Sequence, residues 1–354
     1  MRLTTELCRQ LGVELPIFCA GMGGAAGPEL VAAVSNAGGL GVLGAAGAAP
    51  DDLRRKIGSL HELTARPFGV NFIIDGVESE EDVNFIREEV LTAASEGAVA
   101  VVVFWGDPAP YVETAHQAGA KLLIQVGSVQ EALSAADAGV DAIIAQGVEA
   151  GGHVRGTTST WTLLPQVVQA VDPLPVVASG GMGDGFGAAR ALALGAQAVS
   201  LGTRFLASEE ARAHPEYKRR VVASTAADTF YGELFDVWWP DAPHRVLRNR
   251  LIEEWEAAGC PPPGQRPGEG TTIGTVVLSS GAKSAWPRYA VGVAGPEFEG
   301  YLEYAPLWAG ESCTVVKDIK PAATIVRDLA REAEAALAEG SVSPRGAPRG
   351  AADP

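Results

Sequence analysis

The sequence has little positive charge and few of the residues that build metal or disulfide sites. It contains 27 lysines and arginines against 43 aspartates and glutamates, a net charge of −16. Nucleic-acid binding needs a basic surface, so this balance argues against a nucleic-acid partner. The four cysteines lie far apart and form no Cys-x-x-Cys pair, which fits neither a zinc site nor a dense disulfide framework. We therefore expect reduced thiols, no metal and a cytoplasmic protein.

Long hydrophobic runs are also absent. No apolar segment approaches the roughly 20 residues that span a bilayer, so we expect no membrane partner. The first residues carry no apolar core of the kind found in a signal peptide. Hydrophobic residues nevertheless make up 47% of the 354 residues. This is enough apolar material for one large α/β barrel or for two ordinary domains.

A loose repeat of short apolar segments that end in glycine organises the first part of the chain. Such near-continuous apolar strands predict a parallel sheet that is buried on both faces, and alanine-rich amphipathic stretches between them predict helices. We predict eight strands, at residues 16–20, 40–44, 68–73, 98–104, 121–126, 141–146, 175–179 and 198–202. Eight strands alternating with helices indicate an α/β fold of the (β/α)8 TIM barrel type, with a doubly wound sheet as the alternative.

The chain divides into four predicted regions. Residues 1–222 form the barrel, and residues 311–340 supply its closing helix. Residues 223–310 hold five of the seven tryptophans and several prolines. We interpret them as a C-terminal insertion that covers the active site at the barrel mouth. Residues 341–354 are rich in Pro, Gly and Arg and are expected to form a disordered tail.

Glycine-rich loops follow the seventh and eighth predicted strands. Ser179-Gly180-Gly181 and Gly202-Thr203 lie where barrel backbones commonly bind a phosphate. The helix after Gly183-Asp184-Gly185 is expected to direct further N–H groups at the same point. Tight turns without a ligand are the alternative. The paired placement indicates an enzyme that holds a phosphorylated cofactor.

One histidine follows the sixth strand, on the face where barrels carry their active sites. The run Glu149-Ala150-Gly151-Gly152-His153 places His153 among the loops that would hold the cofactor. We interpret it as a candidate acid or base, with a structural or exposed histidine as the alternative. The other four histidines are interpreted as ordinary surface residues: His61, His116, His214 and His244.

The first loop, Gly21-Met22-Gly23-Gly24-Ala25-Ala26, matches the dinucleotide fingerprint G-x-G-x-x-A. The second strand lacks the acidic residue that should grip a ribose, so we favour a loop whose backbone lies close to a flat ring. Asn71 and Gln125, in the third and fifth strands, can bond a ribityl chain or a ring edge. Trp105, after the fourth strand, is either a wall of the substrate pocket or a satisfied loop residue.

The pair Trp238-Trp239 is the main candidate for a pocket wall within the insertion. Consecutive aromatic residues on a loop can face opposite sides, and Pro240 follows them. The alternative is that both tryptophans only join the insertion to the barrel.

Taken in order, these segments resemble the nitronate monooxygenase (2-nitropropane dioxygenase-like) family of FMN-dependent TIM barrels. The matching segments are residues 16–17, 21–23, 35–41, 67–71, 149–153, 178–181 and 201–205. The resemblance implies non-covalent FMN, and His153 matches the family's catalytic histidine. The residues that it implies near the flavin are Gly21, Met22, Gly23, Asn71 and Gln125. Those that it implies around the ribityl phosphate are Gly152, Ser179, Gly180, Gly181, Gly202 and Thr203.

The resemblance implies an oxidoreductase and leaves its substrate open. We favour the oxidation of alkyl nitronates or nitroalkanes with O2, in which His153 is the base when a neutral nitroalkane is taken. The alternatives on the same barrel are NAD(P)H-driven reduction of an enoyl thioester (enoyl-ACP) or of a quinone. A flavin-binding protein without turnover is the non-enzymatic alternative. The expected partners are a small-molecule substrate and O2, or NAD(P)H for a reductase. The sequence leaves the oligomeric state open, and a homodimer is one of the states it allows.

Overall fold

Eight parallel strands close into a barrel in the computed structural model, which describes residues 3–77, 79–277 and 283–341. The barrel closes where the first strand pairs with the eighth, with Phe18 opposite Ser200. Each strand lies inside its predicted range. The (β/α)8 prediction is confirmed and the doubly wound alternative is wrong. The strands are β1 Ile17–Cys19, β2 Leu40–Gly44, β3 Phe68–Ile73, β4 Ala100–Phe104, β5 Lys121–Val126, β6 Ala142–Gln146, β7 Val176–Ser179 and β8 Ala198–Leu201.

Helices follow the strands and cover the outside of the barrel. Outward-facing strand residues such as Val70 and Phe72 are buried in the apolar layer beneath them. The last of these helices follows the insertion and packs against the first and the seventh barrel helices. The barrel helices are Pro28–Asn36, Pro50–Leu63, Glu80–Ser95, Ala109–Gln117, Val129–Asp137, Thr160–Ala170, Gly185–Ala193 and Ala322–Ala338.

A short N-terminal helix, Glu6–Leu11, closes the amino end of the barrel. The Thr5 side chain caps it by accepting a hydrogen bond from the Cys8 N–H. Leu7 and Leu11 are buried together with the inward-facing side chains of the strands. Because this helix covers the amino end of the barrel, the carboxyl ends of the strands remain for a site.

Alternation along the strands determines what lines the barrel interior, because successive side chains point to opposite faces. The lower inward positions, such as Val102, Leu123, Ile144 and Val177, are apolar. Toward the carboxyl ends the same alternation turns polar side chains inward. We call this set the polar ring, and it consists of Asn71, Gln125, Gln146, Ser179 and Ser200.

The segment predicted as an insertion forms two small antiparallel sheets and the helix Arg250–Ala257. One sheet contains Lys283–Pro287, Thr272–Val277 and Glu299–Gly300. The other contains Thr229–Gly232, His244–Leu247 and an unpredicted two-residue strand, Gly152–His153. The insertion therefore pairs directly with the backbone of the candidate catalytic histidine.

Other predictions concern features away from the site. The four cysteines are all free. Across the described ranges, none of the helices has both the length and the apolar character needed to cross a bilayer. The tail predicted to be disordered lies, from residue 342 onward, outside the described residues.

Candidate active site

His153 is enclosed by aromatic rings. Its ring centroid lies 3.9 Å from that of Trp239, 5.2 Å from Trp308 and 6.1 Å from Trp105. Burial lowers the pKa of His153 to about 3, and the neighbouring His244 adds to this effect. The imidazole is therefore neutral at physiological pH, which is the form that can accept a proton.

Two polar atoms of this site have no hydrogen-bond partner among the described residues. They are Nε2 of His153 and Oε1 of Gln146, and both are buried. Buried polar atoms are normally paired, because leaving one unpaired costs its hydration without compensation. Both atoms can therefore still bond a ligand that brings complementary polar groups.

His244 is not a surface residue, so that prediction is wrong. It is fully buried. Its Nδ1 donates to the Ala242 carbonyl and its Nε2 accepts from the Phe235 N–H. Burial lowers its pKa to about 4 against the opposing effect of the bond to Ala242. A neutral, fully bonded ring thus supports one side of the His153 strand. The other three histidines bond elsewhere on the molecule: His61, His116 and His214.

We call the glycine loops after β7 and β8, at residues 180–181 and 202–203, the cradle. Gly180 has a φ of 99°, and a Cβ atom there would lie 3.0 Å from the Gly147 carbonyl oxygen, so the backbone conformation needs glycine. A Cβ atom at Gly202 would instead enter open space, with the Met22 Sδ the nearest atom at 3.7 Å. Gly181 follows in the same left-handed conformation. Of these three glycines, only Gly202 has room beside its Cα for a neighbouring group.

The helix Gly185–Ala193 differs from expectation at its N-terminus. The Gly185 N–H donates to Glu332 Oε2 and the Gly187 N–H donates to Asp184 Oδ1. Two of the N–H groups expected to face a phosphate are therefore occupied by carboxylates. An anion at this face would depend on the backbone at 180–181 and 202–203. The Thr203 hydroxyl accepts from the Gly310 N–H and keeps its own proton to donate.

The strand-1 loop passes close to Asn71. A Cβ atom on Gly21 would lie 2.4 Å from the Asn71 Cβ, so only glycine permits this approach. The Asn71 side chain donates to the Val102 carbonyl across the β3–β4 pair. Met22 and Gly23 continue the loop toward the Gly202 cradle. Two of the sequence-predicted groups, the strand-1 loop and the strand-8 loop, thus adjoin in space.

The predicted pocket tryptophans occupy different environments. Trp105 is buried with a φ of 70°, an uncommon conformation for a bulky residue. Its ring lies 5.3 Å from Trp239, and the Nε1 of Trp239 donates to Asp75 after β3. Trp238, by contrast, is 62% exposed. The sequence analysis missed Trp308. This residue lies near the end of the insertion, and its ring contacts that of His153.

One further residue was missed although the sequence carried a signal for it. Gln146 extends the alternation of Ala142 and Ile144 and so faces the barrel interior at the end of β6. Its Nε2 donates to the His153 carbonyl at 3.0 Å. The period-two alternation of the sixth strand would have found it.

The fold and the site define an α/β-barrel protein that carries a neutral histidine and glycine loops at the carboxyl ends of its strands. The chain belongs to the nitronate monooxygenase family, whose model matches residues 4–332. Both the predicted family and the predicted enzyme class are thereby confirmed.

Named relatives include more than one activity. The chain is 37% identical over 294 residues to a probable nitronate monooxygenase of Staphylococcus saprophyticus, covering 72% of this chain and 81% of that protein. It is also 37% identical over 257 residues to the (3aS,4S,5R,7aS)-5-hydroxy-7a-methyl-1-oxo-octahydro-1H-indene-4-carboxyl-CoA dehydrogenase of Rhodococcus jostii, covering 73% and 69%.

The solved structures that resemble this chain also include differently named proteins. FabK from Thermotoga maritima aligns with a TM-score of 0.75 and 31% identity, over 95% of this chain and 98% of that one. A nitroalkane oxidase from Streptomyces ansochromogenes aligns with a TM-score of 0.73 and 28% identity, over 94% and 99%. Because both alignments cover nearly the whole chain, similarity alone does not select a substrate.

Proposed function

We propose that this protein is an FMN-dependent oxidoreductase that oxidises alkyl nitronates with O2 and uses His153 as its base for neutral nitroalkanes. The observation that carries the proposal is the Nε2 atom of His153. It is buried among tryptophan rings and has no partner in the described part of the chain. A neutral imidazole nitrogen without a partner can take a proton from carbon.

The residues present fit FMN. The cradle at 180–181 and 202–203 would supply the backbone N–H groups for a phosphate, because Glu332 and Asp184 already accept from the N–H groups of Gly185 and Gly187. The polar ring is made of neutral amides and hydroxyls, which suits a heteroaromatic ring with N–H and C=O groups. Bound FMN would supply the electron acceptor for the substrate and the donor for O2.

His153 would act on the carbon next to a nitro group. That C–H proton would move to Nε2, and its electron pair would stay on the nitronate. Burial disfavours the imidazolium, so the ring would hold the proton only beside the nitronate anion that forms with it. A preformed nitronate needs no such step. The rings of Trp105, Trp239 and Trp308 would shield this exchange from water.

A second candidate is an NAD(P)H-driven reductase of an enoyl thioester or a quinone. It is supported by the similarity to FabK and to a dehydrogenase whose name contains a CoA ester. The two candidates differ in what reduces the enzyme. A nitronate would do so in the first case, and NADH or NADPH would do so in the second.

Anaerobic reduction of the purified protein tests both candidates. The cofactor is first released by heat and identified, and the holoenzyme is then mixed in parallel with an alkyl nitronate, NADH and NADPH. Rapid bleaching by the nitronate alone is the expected result. Rapid bleaching by NAD(P)H alone would instead assign a reductase. Release of FAD, or a colourless protein that takes up no FMN, would overturn the cofactor assignment.

A further inference from the structure

We propose that Gln146 is a positioning residue that connects the cofactor to His153. Its amide nitrogen would hold the His153 backbone, and its amide oxygen would accept a hydrogen bond from the pyrimidine N–H of the flavin. The proposal rests on FMN being the cofactor.

The orientation of the Gln146 amide follows from its one observed bond. Nε2 lies 3.0 Å from the His153 carbonyl oxygen. A carbonyl can only accept, so the atom facing it must be the NH2 group. Oε1 is therefore the second end of the amide, and it points away from the His153 backbone.

Oε1 of Gln146 needs a donor. The residue is 4% exposed, and within residues 3–77, 79–277 and 283–341 no group bonds this oxygen. Water has little access to such an atom, so folding leaves its bonding capacity for a ligand.

The surroundings define the chemistry of that donor. Gln146 pairs in register with Ser179 on β7, and Gln125 lies on the adjacent strand β5. Every member of the polar ring is uncharged. A neutral N–H flanked by carbonyls, as in the pyrimidine part of a flavin, matches a neutral acceptor between further amide and hydroxyl groups.

The amide nitrogen of Gln146 explains why a bond between its amide oxygen and the flavin would matter for His153. One edge of the Gly152–His153 strand pairs with His244 and Arg245 of the insertion. The Gln146 amide holds the same strand from the barrel side. A flavin bonded to Gln146 would therefore be placed in fixed register with the imidazole.

Comparing FMN with FMN methylated at N3 tests the proposal by affinity instead of turnover. Apoprotein is titrated with each flavin by fluorescence quenching, using wild type, Gln146→Leu and the length-matched Gln146→Met. Wild type should bind FMN about tenfold more tightly than the N3-methyl analogue, the effect of one buried hydrogen bond. Both variants should bind the two flavins equally. Ser200→Ala, another polar-ring residue, should keep the wild-type preference.

Turnover adds a readout for the His153 side of the amide. Both variants should lose kcat with a neutral nitroalkane more than with its preformed nitronate. The proposal would be overturned, with FMN still the cofactor, if wild type bound FMN and its N3-methyl analogue equally. It would also be overturned if a Gln146 variant kept the preference for FMN. Failure of wild type to bind FMN would instead overturn the proposed function.

Discussion

The indole of Trp239 lies against the imidazole of His153, with centroids 3.9 Å apart and planes inclined by 34°. The same indole donates a hydrogen bond to Asp75, beyond β3. One side chain of the insertion thus touches the candidate base and a barrel loop on another strand. We therefore expect the insertion to influence what reaches His153.

Replacing Trp239 with alanine should alter substrate use. The stacked pair contributes about 0.5–1.5 kcal/mol, which corresponds to a change of about 2–10-fold in KM or in preference among nitronates. Flavin content should stay constant, because the cradle lies on the barrel. Trp238→Ala is the matched control, since that side chain is 62% exposed, and should leave kinetics unchanged. Equal kinetic effects of both variants would mean that stacking on His153 is not the cause.

Adding a carboxylate at Gly202 should weaken FMN binding. The Cβ of a substituted residue would enter the open side of the cradle without a backbone clash, so Gly202→Asp places a charge where a phosphate is expected. Gly202→Ala adds only a methyl group and serves as the control. We expect affinity to fall at least tenfold for Asp and much less for Ala, measured by flavin fluorescence. Gly180→Asp should also weaken binding but is a poorer test, because its φ of 99° adds backbone strain.

Replacing His153 with asparagine should separate two classes of substrate. Loss of a general base typically costs about 10²–10⁴ in rate. We expect this loss with neutral nitroalkanes and little loss with preformed nitronates. Since burial holds the pKa of His153 near 3, the wild-type rate should not fall through His153 protonation between pH 5 and 8. Equal losses on both substrates would show that His153 positions the substrate or stabilises charge.

The buried carboxyl of Glu89 should make stability depend on pH. Burial raises its pKa to about 8, whereas the unfolded group titrates near 4.5. Between these values the unfolded state releases a proton that the folded state keeps, so stability falls as pH rises. Glu89→Gln should remove this loss. Between the two pKa values, its free energy of unfolding should rise relative to that of wild type by at most about 1.4 kcal/mol per pH unit.

Urea unfolding at pH 4.5, 6 and 7.5 measures the effect. Glu88 is exposed on the same helix, and Glu88→Gln should show no comparable change. A Glu89→Gln variant that is less stable than wild type at pH 7.5 would show that the ionised carboxylate stabilises the fold.

Local patterns in the sequence were sufficient to predict the barrel. Apolar strands, amphipathic helices and glycine spacing are short-range signals, and the observed strands lie inside the predicted ranges. His153 and the glycine loops were found in the same way, because in a barrel every strand ends at the same face. Gln146 lay within reach of this reasoning through the alternation of β6.

Only the tertiary structure decided what surrounds His153. His244 and Trp308 lie 91 and 155 residues further along the chain, and no local period indicates that they meet the imidazole. The strand Gly152–His153 exists only because the insertion pairs with it. The low pKa of His153 depends on the same long-range packing, because burial lowers it and the neighbouring His244 adds to the effect. The sequence alone determined the barrel and the face that carries the site, since both depend on local periodicity, whereas the environment of the base depends on long-range contacts that the folded insertion creates.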